Sequence, residues 1–286
     1  MGNDSQYNSL YAFKSILENP YATVNPARIS SNRINNVGDA LEVYIKDAYC
    51  GVLGSQLSQD EKELTVYPAA FSWLGNSGNP PDCLLRNGDG IEVKKIQSMN
   101  ADIALNSSFP KSKLHVDDSR VATGAKASEE WIERDIVYAI GTVIDDELRR
   151  LWLIYGDCYA ASRDTYEKLF TVISDGVKTI PDVEFCETNE LAKVKKVDPL
   201  GITEMRVRGM WHIQNPSRLY AHLTTVTPHR QYYVLMREDK YQSFPEYQRN
   251  ELEELNLDGY ENSIIEIRDP DNPAHVIKAR FIKYEI

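Results

Sequence analysis

An α/β fold, with a mixed central β-sheet flanked by helices, follows from three features of the 286-residue sequence. Apolar residues recur at helical spacing ahead of Gly51, β-branched and alternating segments fill the middle and the end, and turn signals separate them. Hydrophobic residues at 42% with 26% charged residues suit a globular protein, and no apolar run approaches the ~20 residues needed to span a bilayer.

Taken in order, Tyr7 to Glu18 reads as a short helix stopped by Asn19-Pro20. The capping pair Ser30-Ser31 opens a second helix that runs to about Cys50 and ends at Gly51. Its apolar positions Ile34, Val37, Leu41, Ile45 and Ala48 lie beside a polar stripe of Asn35, Asp39, Glu42 and Lys46. Leu64 to Trp73 is strand-like, with Pro68 confining part of it to an edge or a bend. After a turn-rich stretch from Gly75 to Pro81, Asp82–Leu85 and Ile91–Ile96 form a hairpin around Arg86-Asn87-Gly88-Asp89-Gly90. Met99 to Asp118 reads as loop and Ala125 to Arg134 as helix; Asp135–Ile144 and Leu148–Tyr155 are strands joined by Asp145-Asp146-Glu147. Beyond Asp157, short helices (Arg163–Phe170, Pro245–Leu255) mix with strands (Thr203–His212, Ser263–Ile267, Val276–Tyr284). With no repeat and no low-complexity linker, residues 1–286 are expected to form a single domain, a core over about 31–156 followed by an α+β elaboration over about 157–286.

The polar N-terminus, Met1 to Leu10, lacks a basic region followed by an apolar run, and Gln6 breaks the myristoylation pattern begun by Gly2. Cys50, Cys83, Cys158 and Cys186 form neither a CxxC pair nor a zinc spacing, so reduced thiols and a cytoplasmic location are expected, with no membrane association. A net charge of −11 argues at first against a nucleic-acid partner, but the charge is segregated. Thr203 to Arg237 holds five arginines (Arg206, Arg208, Arg218, Arg230, Arg237) and one acid, Glu204, whereas Glu238 to Asp271 holds eleven acids and three basic residues. One face can attract phosphate while another repels it.

The chemistry-bearing stretch is Pro80-Pro81-Asp82, then Ile91-Glu92-Val93-Lys94-Lys95. Residues two apart on a strand share a face, so Glu92 and Lys94 point the same way and Lys95 the other. With the hairpin centred near Gly88, Asp82 falls opposite Lys94 and diagonal to Glu92. Opposed side chains sit about 5 Å apart and diagonal ones about 7–8 Å, close enough for two carboxylates to converge on one ion. Oxygen-only ligation suits Mg²⁺, which would polarise a scissile phosphate and acidify a bound water, with Lys94 holding that water or stabilising the developing charge. The competing reading is an alternating Glu/Lys strand that is only a solvated face, and spacing alone leaves both open.

Pro81-Asp82…Glu92-Val93-Lys94 resembles the PD-(D/E)xK signature of the restriction-endonuclease-like nucleases. The wider pattern adds Asn32-Arg33, Gly38-Asp39-Ala40-Leu41-Glu42, Gly75-Asn76-Ser77, Gly88 to Ile96, Leu105-Asn106-Ser107-Ser108 and Pro110-Lys111. Together these resemble type II restriction endonucleases of the NgoPII kind, which cut at GGCC, over about Ser31 to Tyr155. The resemblance implies a restriction-endonuclease-like core and Mg²⁺-dependent double-strand cleavage of DNA. It assigns Asp82 and Glu92 as metal-binding acids, the Val93 carbonyl as a backbone ligand, Lys94 as the catalytic lysine and Glu42 as the helix glutamate beside the metal. Glu42 on a solvated stripe is the equal alternative. A palindromic target implies a two-fold homodimer, and a cognate DNA methyltransferase is the expected genetic partner.

For DNA contacts the candidates are Asn106, Ser107, Ser108, Lys111 and Lys113, which combine amides, hydroxyls and cations, together with Arg206 and Arg208 from the basic segment. The rival readings are a same-fold repair or structure-specific nuclease, and a DNA-binding protein that keeps the fold without cutting. A metal hydrolase acting outside nucleic acids gains little, because no histidine cluster is present at ligand spacing.

Overall fold

The computed structural model describes residues 6–24, 37–75, 79–106, 108–225 and 230–286. The strands are β1 (Phe71–Leu74), β2 (Cys83–Leu85), β3 (Gly90–Ile96), β4 (Ile103–Asn106), β5 (Lys113–His115), β6 (Glu133–Ile144) and β7 (Glu147–Tyr155), then β8 (Glu184–Cys186), β9 (Ala192–Lys195), β10 (Met205–Val207), β11 (Trp211–Ile213), β12 (Gln231–Arg237), β13 (Tyr260–Arg268) and β14 (Val276–Glu285). A large mixed sheet runs in the order β1-β2-β3-β6-β7-β12-β14-β13, with β5 paired to β6 off this path. The β3–β6 and β7–β12 pairs are parallel and the others antiparallel. Strands from the C-terminal segment, β12 to β14, thus continue the sheet that holds the hairpin.

Two apolar layers cover the sheet. On one face, helix α1 (Ser9–Glu18) and helix α2 (Val37–Tyr49) bury Phe13, Ile16, Leu41, Ile45 and Tyr49 against Ile91, Val93, Val137, Leu153 and Val234. The Asn8 side chain caps α1 by accepting from the amides of Leu10 and Tyr11, and the Asn19-Pro20 stop falls where the sequence puts it. The start expected for the second helix at Ser30-Ser31 lies outside the described residues. The opposite face buries Leu84, Ile136, Tyr138, Trp152, Tyr233 and Phe281, with the β4–β11 ribbon packed over it. The Trp152 indole reaches Ser217 Oγ at 2.8 Å, so its one polar atom is satisfied. A separate three-stranded sheet, β10-β9-β8, lies beside helix α4 (Arg163–Lys178). Helix α3 (Thr123–Ser128) precedes it in the chain, and α5 (Glu238–Gln242) and α6 (Glu246–Glu253) follow β12. All four cysteines are free thiols, and no described helix is long and apolar enough to cross a membrane.

Four local expectations fail, the first being the strand over Thr203–His212, which is two strands, β10 paired to β9 and β11 paired to β4. Leu64–Trp73 is strand only from Phe71; Gln59 to Ala70 is helical, opened by a capping box between Ser58 and Glu61 and accommodating Pro68 in the first turn of its last segment. The expected loop 99–118 contains β4 and β5, which gain their partners only in the tertiary fold, from β11 and β6. The expected helix 125–134 stops at Ser128, where Trp131 Nε1 donates to the Ala125 carbonyl, and the chain is already strand at Glu133.

Candidate active site

The hairpin register is Cys83 opposite Ile91 and Leu84 opposite Gly90, and just beyond the paired residues Asp82 N–H donates to the Ile91 carbonyl at 2.9 Å. Extending this register brings Asp82 level with Glu92, which corrects the expected pairing of Asp82 with Lys94. The turn centres on Asn87, at φ +50°, rather than on Gly88. Moving the centre by one residue moves the partner by two, so the three side chains still share a face. Ile91 and Val93 pack under α1 and α2, which sends Glu92 and Lys94 to the opposite side.

Two glycines allow the close approaches around Asp82. Gly75 N–H donates to the Asp82 carbonyl at 2.6 Å, and a Cβ on Gly75 would lie 2.5 Å from that same oxygen. A Cβ on Gly90 would run into Leu114 and crowd Pro81. The Asp82 carboxylate accepts the Val93 amide at 2.6 Å, which fixes it across the strand edge.

Lys94 Nζ donates to Glu92 Oε1 at 2.5 Å, while Glu92 is only 7% exposed and its Oε2 is buried with no hydrogen-bond partner. Burial, then the Asp82 charge, pushes the Glu92 carboxyl up to about 7, against the opposing pull of Lys94. Burial works against the Lys94 ammonium, yet Glu92 and Asp82 together hold it above its ordinary range. An orphaned carboxylate oxygen beside a second carboxylate fits a hard divalent cation bound through oxygen. Among the described residues no group of three or more His, Cys, Asp or Glu side chains could hold a metal ion, so the fit rests on the Asp82–Glu92 pair. Mg²⁺ needs no more than one or two carboxylates when waters and substrate complete its shell.

Asp82, Glu92, Val93 and Lys94 open onto a cleft of about 650 Å³. Glu42 reaches the same cleft from α2, where Lys46 lies 3.6 Å from its carboxylate. Ser108 lines it with a buried, unpartnered hydroxyl, and Arg206 and Arg208 enter from β10 and just beyond it. Thus Asp82, Glu92, Val93, Lys94, Glu42, Ser108, Arg206 and Arg208, scattered over the sequence, face one space. Ser107 and the Asn106 side chain lie outside the described residues.

Lys111 and Lys113 do not line this cleft. Lys111 is 3% exposed and is ion-paired with Asp118, so its charge is spent inside the protein. Lys113 is tied to Glu133 at 2.8 Å and Asp135 at 3.5 Å and lines a different, acidic depression with Asp157, Asp239 and Asp269. Arg120, absent from the sequence candidates, takes their place on the cleft wall. Its guanidinium lies 4.9 Å from the Phe109 ring centroid and 4.2 Å from that of Phe170 on α4, with Nε buried and unpartnered. No sequence signal marks this residue, because its two aromatic faces come from distant segments.

Comparison with known proteins places the chain in a class. The family model described as NgoPII restriction endonuclease matches residues 7–269. The type II restriction enzyme NgoPII of Neisseria gonorrhoeae is 39% identical over 282 residues, covering 98% of this chain and 100% of that protein. No solved structure matches the chain. Both matches are restriction endonucleases. The chain belongs to the NgoPII restriction endonuclease family.

Proposed function

We propose that this chain is a type II restriction endonuclease that hydrolyses both strands of DNA at a short G/C-rich palindrome, GGCC as the sequence resemblance implies, using Mg²⁺. The observation that carries the reading is the convergence of Asp82, Glu92 and Lys94 with Arg120, Arg206 and Arg208 on one cleft. Acids that can hold a cation stand on one wall and guanidiniums that can hold DNA stand on the others, as phosphodiester hydrolysis requires.

Asp82 and Glu92 would hold the metal, with the Val93 carbonyl beside them. A bound Mg²⁺ would polarise the scissile phosphate and lower the pKa of a water. Lys94, kept protonated by its carboxylate neighbours, places a positive charge where negative charge develops on the phosphate. Arg120 has its cation fixed between two rings and serves as a phosphate contact. The same reading takes the core as restriction-endonuclease-like and residues 157–286 as the part that supplies recognition and dimer contacts. It also takes the working enzyme as a cytoplasmic two-fold homodimer, one active site per strand, with a DNA methyltransferase as its genetic partner.

The test is digestion of unmethylated plasmid by purified protein with Mg²⁺, beside EDTA and Lys94→Ala controls. Discrete fragments from wild type alone support the proposal, and mapping their ends gives the site. An intact plasmid that the protein still shifts on a gel would replace it with a binding protein. A smear without defined ends would replace it with a nuclease lacking base specificity.

A further inference from the structure

Opposite the catalytic hairpin, three charged side chains are locked together. Arg206 donates from Nε to Glu190 Oε2 and from a terminal nitrogen to Oε1, both at 2.8 Å, a bidentate fork. Arg208 Nε lies 2.5 Å from the same Oε1. Residues 206 and 208 are two apart at the end of β10, so both reach one side, and Glu190 sits just before the neighbouring strand β9. The Glu190 amide donates to Thr188 Oγ1 at 3.1 Å, fixing the turn that presents the carboxylate. All three line the cleft that holds Asp82, Glu92 and Lys94.

A stabilising ion pair needs one arginine. Here two share a single carboxylate, which leaves a surplus positive charge in a chain whose net charge is −11. The guanidiniums are half exposed, at 52% and 54%, whereas the Glu190 side chain between them is 12% exposed. As an exposed ion pair the cluster adds little to stability, too little to explain such an arrangement beside an active site. Its donor and acceptor pattern, however, is that of a base reader. Arginine donates bidentately to guanine O6 and N7, and a carboxylate accepts from cytosine N4 on the major-groove edge. A carboxylate flanked by two guanidiniums thus complements neighbouring guanine and cytosine edges. Its carboxylate also disfavours any base presenting an acceptor to it, which is how a site rejects the wrong sequence.

We propose that Glu190 is a specificity-determining residue of this enzyme, accepting from a cytosine N4 amino group while it orients Arg206 and Arg208 toward guanine. The inference rests on the restriction-endonuclease reading and deepens it. Single-turnover cleavage is measured for wild type, Glu190→Ala and Glu190→Gln on duplexes carrying the mapped wild-type site. A parallel set carries single base-pair changes or one N4-methylcytosine, whose methyl group replaces the groove-facing hydrogen. The expected result is that one N4-methylcytosine slows wild type at least tenfold and barely affects Glu190→Ala. That variant should also lose at least tenfold of its discrimination at the same base pair, with Glu190→Gln intermediate. A purely structural ion pair would lower the melting temperature and scale cleavage of all duplexes alike; that outcome overturns the inference while leaving the nuclease reading intact. If a variant fails to fold, wild type unaffected by N4-methylation at every cytosine overturns it equally. A wild type that cuts no duplex removes the underlying reading and the inference with it.

Discussion

Lys94 donates to Glu92 from two residues further along one strand, across 2.5 Å, so the cation beside Asp82 is joined to the more buried of the two acids on that face. Under the proposed mechanism, replacing Lys94 by alanine removes the charge placed at the reacting phosphate and leaves the cleft arginines in place. Cleavage should fall by about 10²–10⁴-fold, the range for losing one such group. Affinity for DNA, measured by gel shift in EDTA, should change less than about threefold. Lys94→Arg keeps the charge but substitutes a planar fork for a point donor, and should recover only part of the rate. Equal losses of binding and cleavage in Lys94→Ala would assign Lys94 to DNA binding instead.

The same pair sets a pH dependence. With its carboxyl pushed up to about 7 by burial and by Asp82, Glu92 is largely protonated at pH 6 and ionised at pH 8. A cation held by Asp82 and Glu92 requires the ionised form, so its binding releases a proton below pH 7 and is weakened as pH falls through that value. Calorimetric titration with Mg²⁺ should show affinity about tenfold higher at pH 8 than at pH 6, since one unit of pH below the pKa costs a factor of ten. Buffers of different ionisation enthalpy should reveal the released proton at pH 6 alone. Affinity that does not vary over this range would mean that Glu92 does not bind the cation.

The residues on this face were legible because they lie close in sequence. Alternation around Val93 and the Asn87-Gly88 turn define a hairpin, and period two puts Asp82, Glu92 and Lys94 together even when the register is misplaced by one turn position. The capping box of Ser58 and Glu61 was equally present in the sequence, but Val66, Tyr67 and Phe71 outweighed it as a strand signal. What could not be read is whatever depends on a distant partner. Ile103–Asn106 is a strand because Trp211–Ile213 lies beside it, and Lys111 is buried because Asp118 folds over it. Arg120 joins the cleft because Phe109 and Phe170 meet around it. Asp89, a turn residue by composition, proves to be a 3%-exposed anchor.

That anchor gives a stability prediction. Lys240 of α5 donates to Asp89 at 2.7 Å and to Asp135 at 2.8 Å, and Tyr155 also donates to Asp89 at 2.7 Å. Burial opposes the Lys240 charge, but the two aspartates outweigh it and raise its pKa. Lys240→Met fills the same space, leaves Asp89 without its cation and leaves Asp135 only Lys113 at 3.5 Å, which should cost about 3–5 kcal/mol. Urea unfolding would read this as a lower midpoint at unchanged slope. The double variant Lys240→Met with Asp89→Asn should recover part of the loss. Because Asp89 closes the hairpin that carries Glu92 and Lys94, cleavage by the single variant should fall further than its folded fraction explains. A midpoint unmoved by Lys240→Met would show that the two carboxylates are adequately solvated without it.

Arg120 makes the sharpest test of the cleft as a DNA surface, because its guanidinium lies over two rings and its ion pair with Asp118 is a long one, at 3.9 Å. Its guanidinium is held by the faces of Phe109 and Phe170, and the nearest carboxylate, Asp118 at 3.9 Å, is already taken by Lys111. Arginine stacks on rings through its planar, weakly hydrated cation, which lysine does not reproduce. Arg120→Ala should therefore weaken binding to cognate and non-cognate duplexes alike, and should lower the slope of log affinity against log salt by about one. Arg120→Lys should keep the slope but not the full affinity, since the charge remains while the stacked geometry is lost. Loss confined to the cognate duplex would make Arg120 a reader of bases. An unchanged slope in Arg120→Ala would place DNA elsewhere on the protein, because a cation that holds a phosphate cannot be removed without losing that contact.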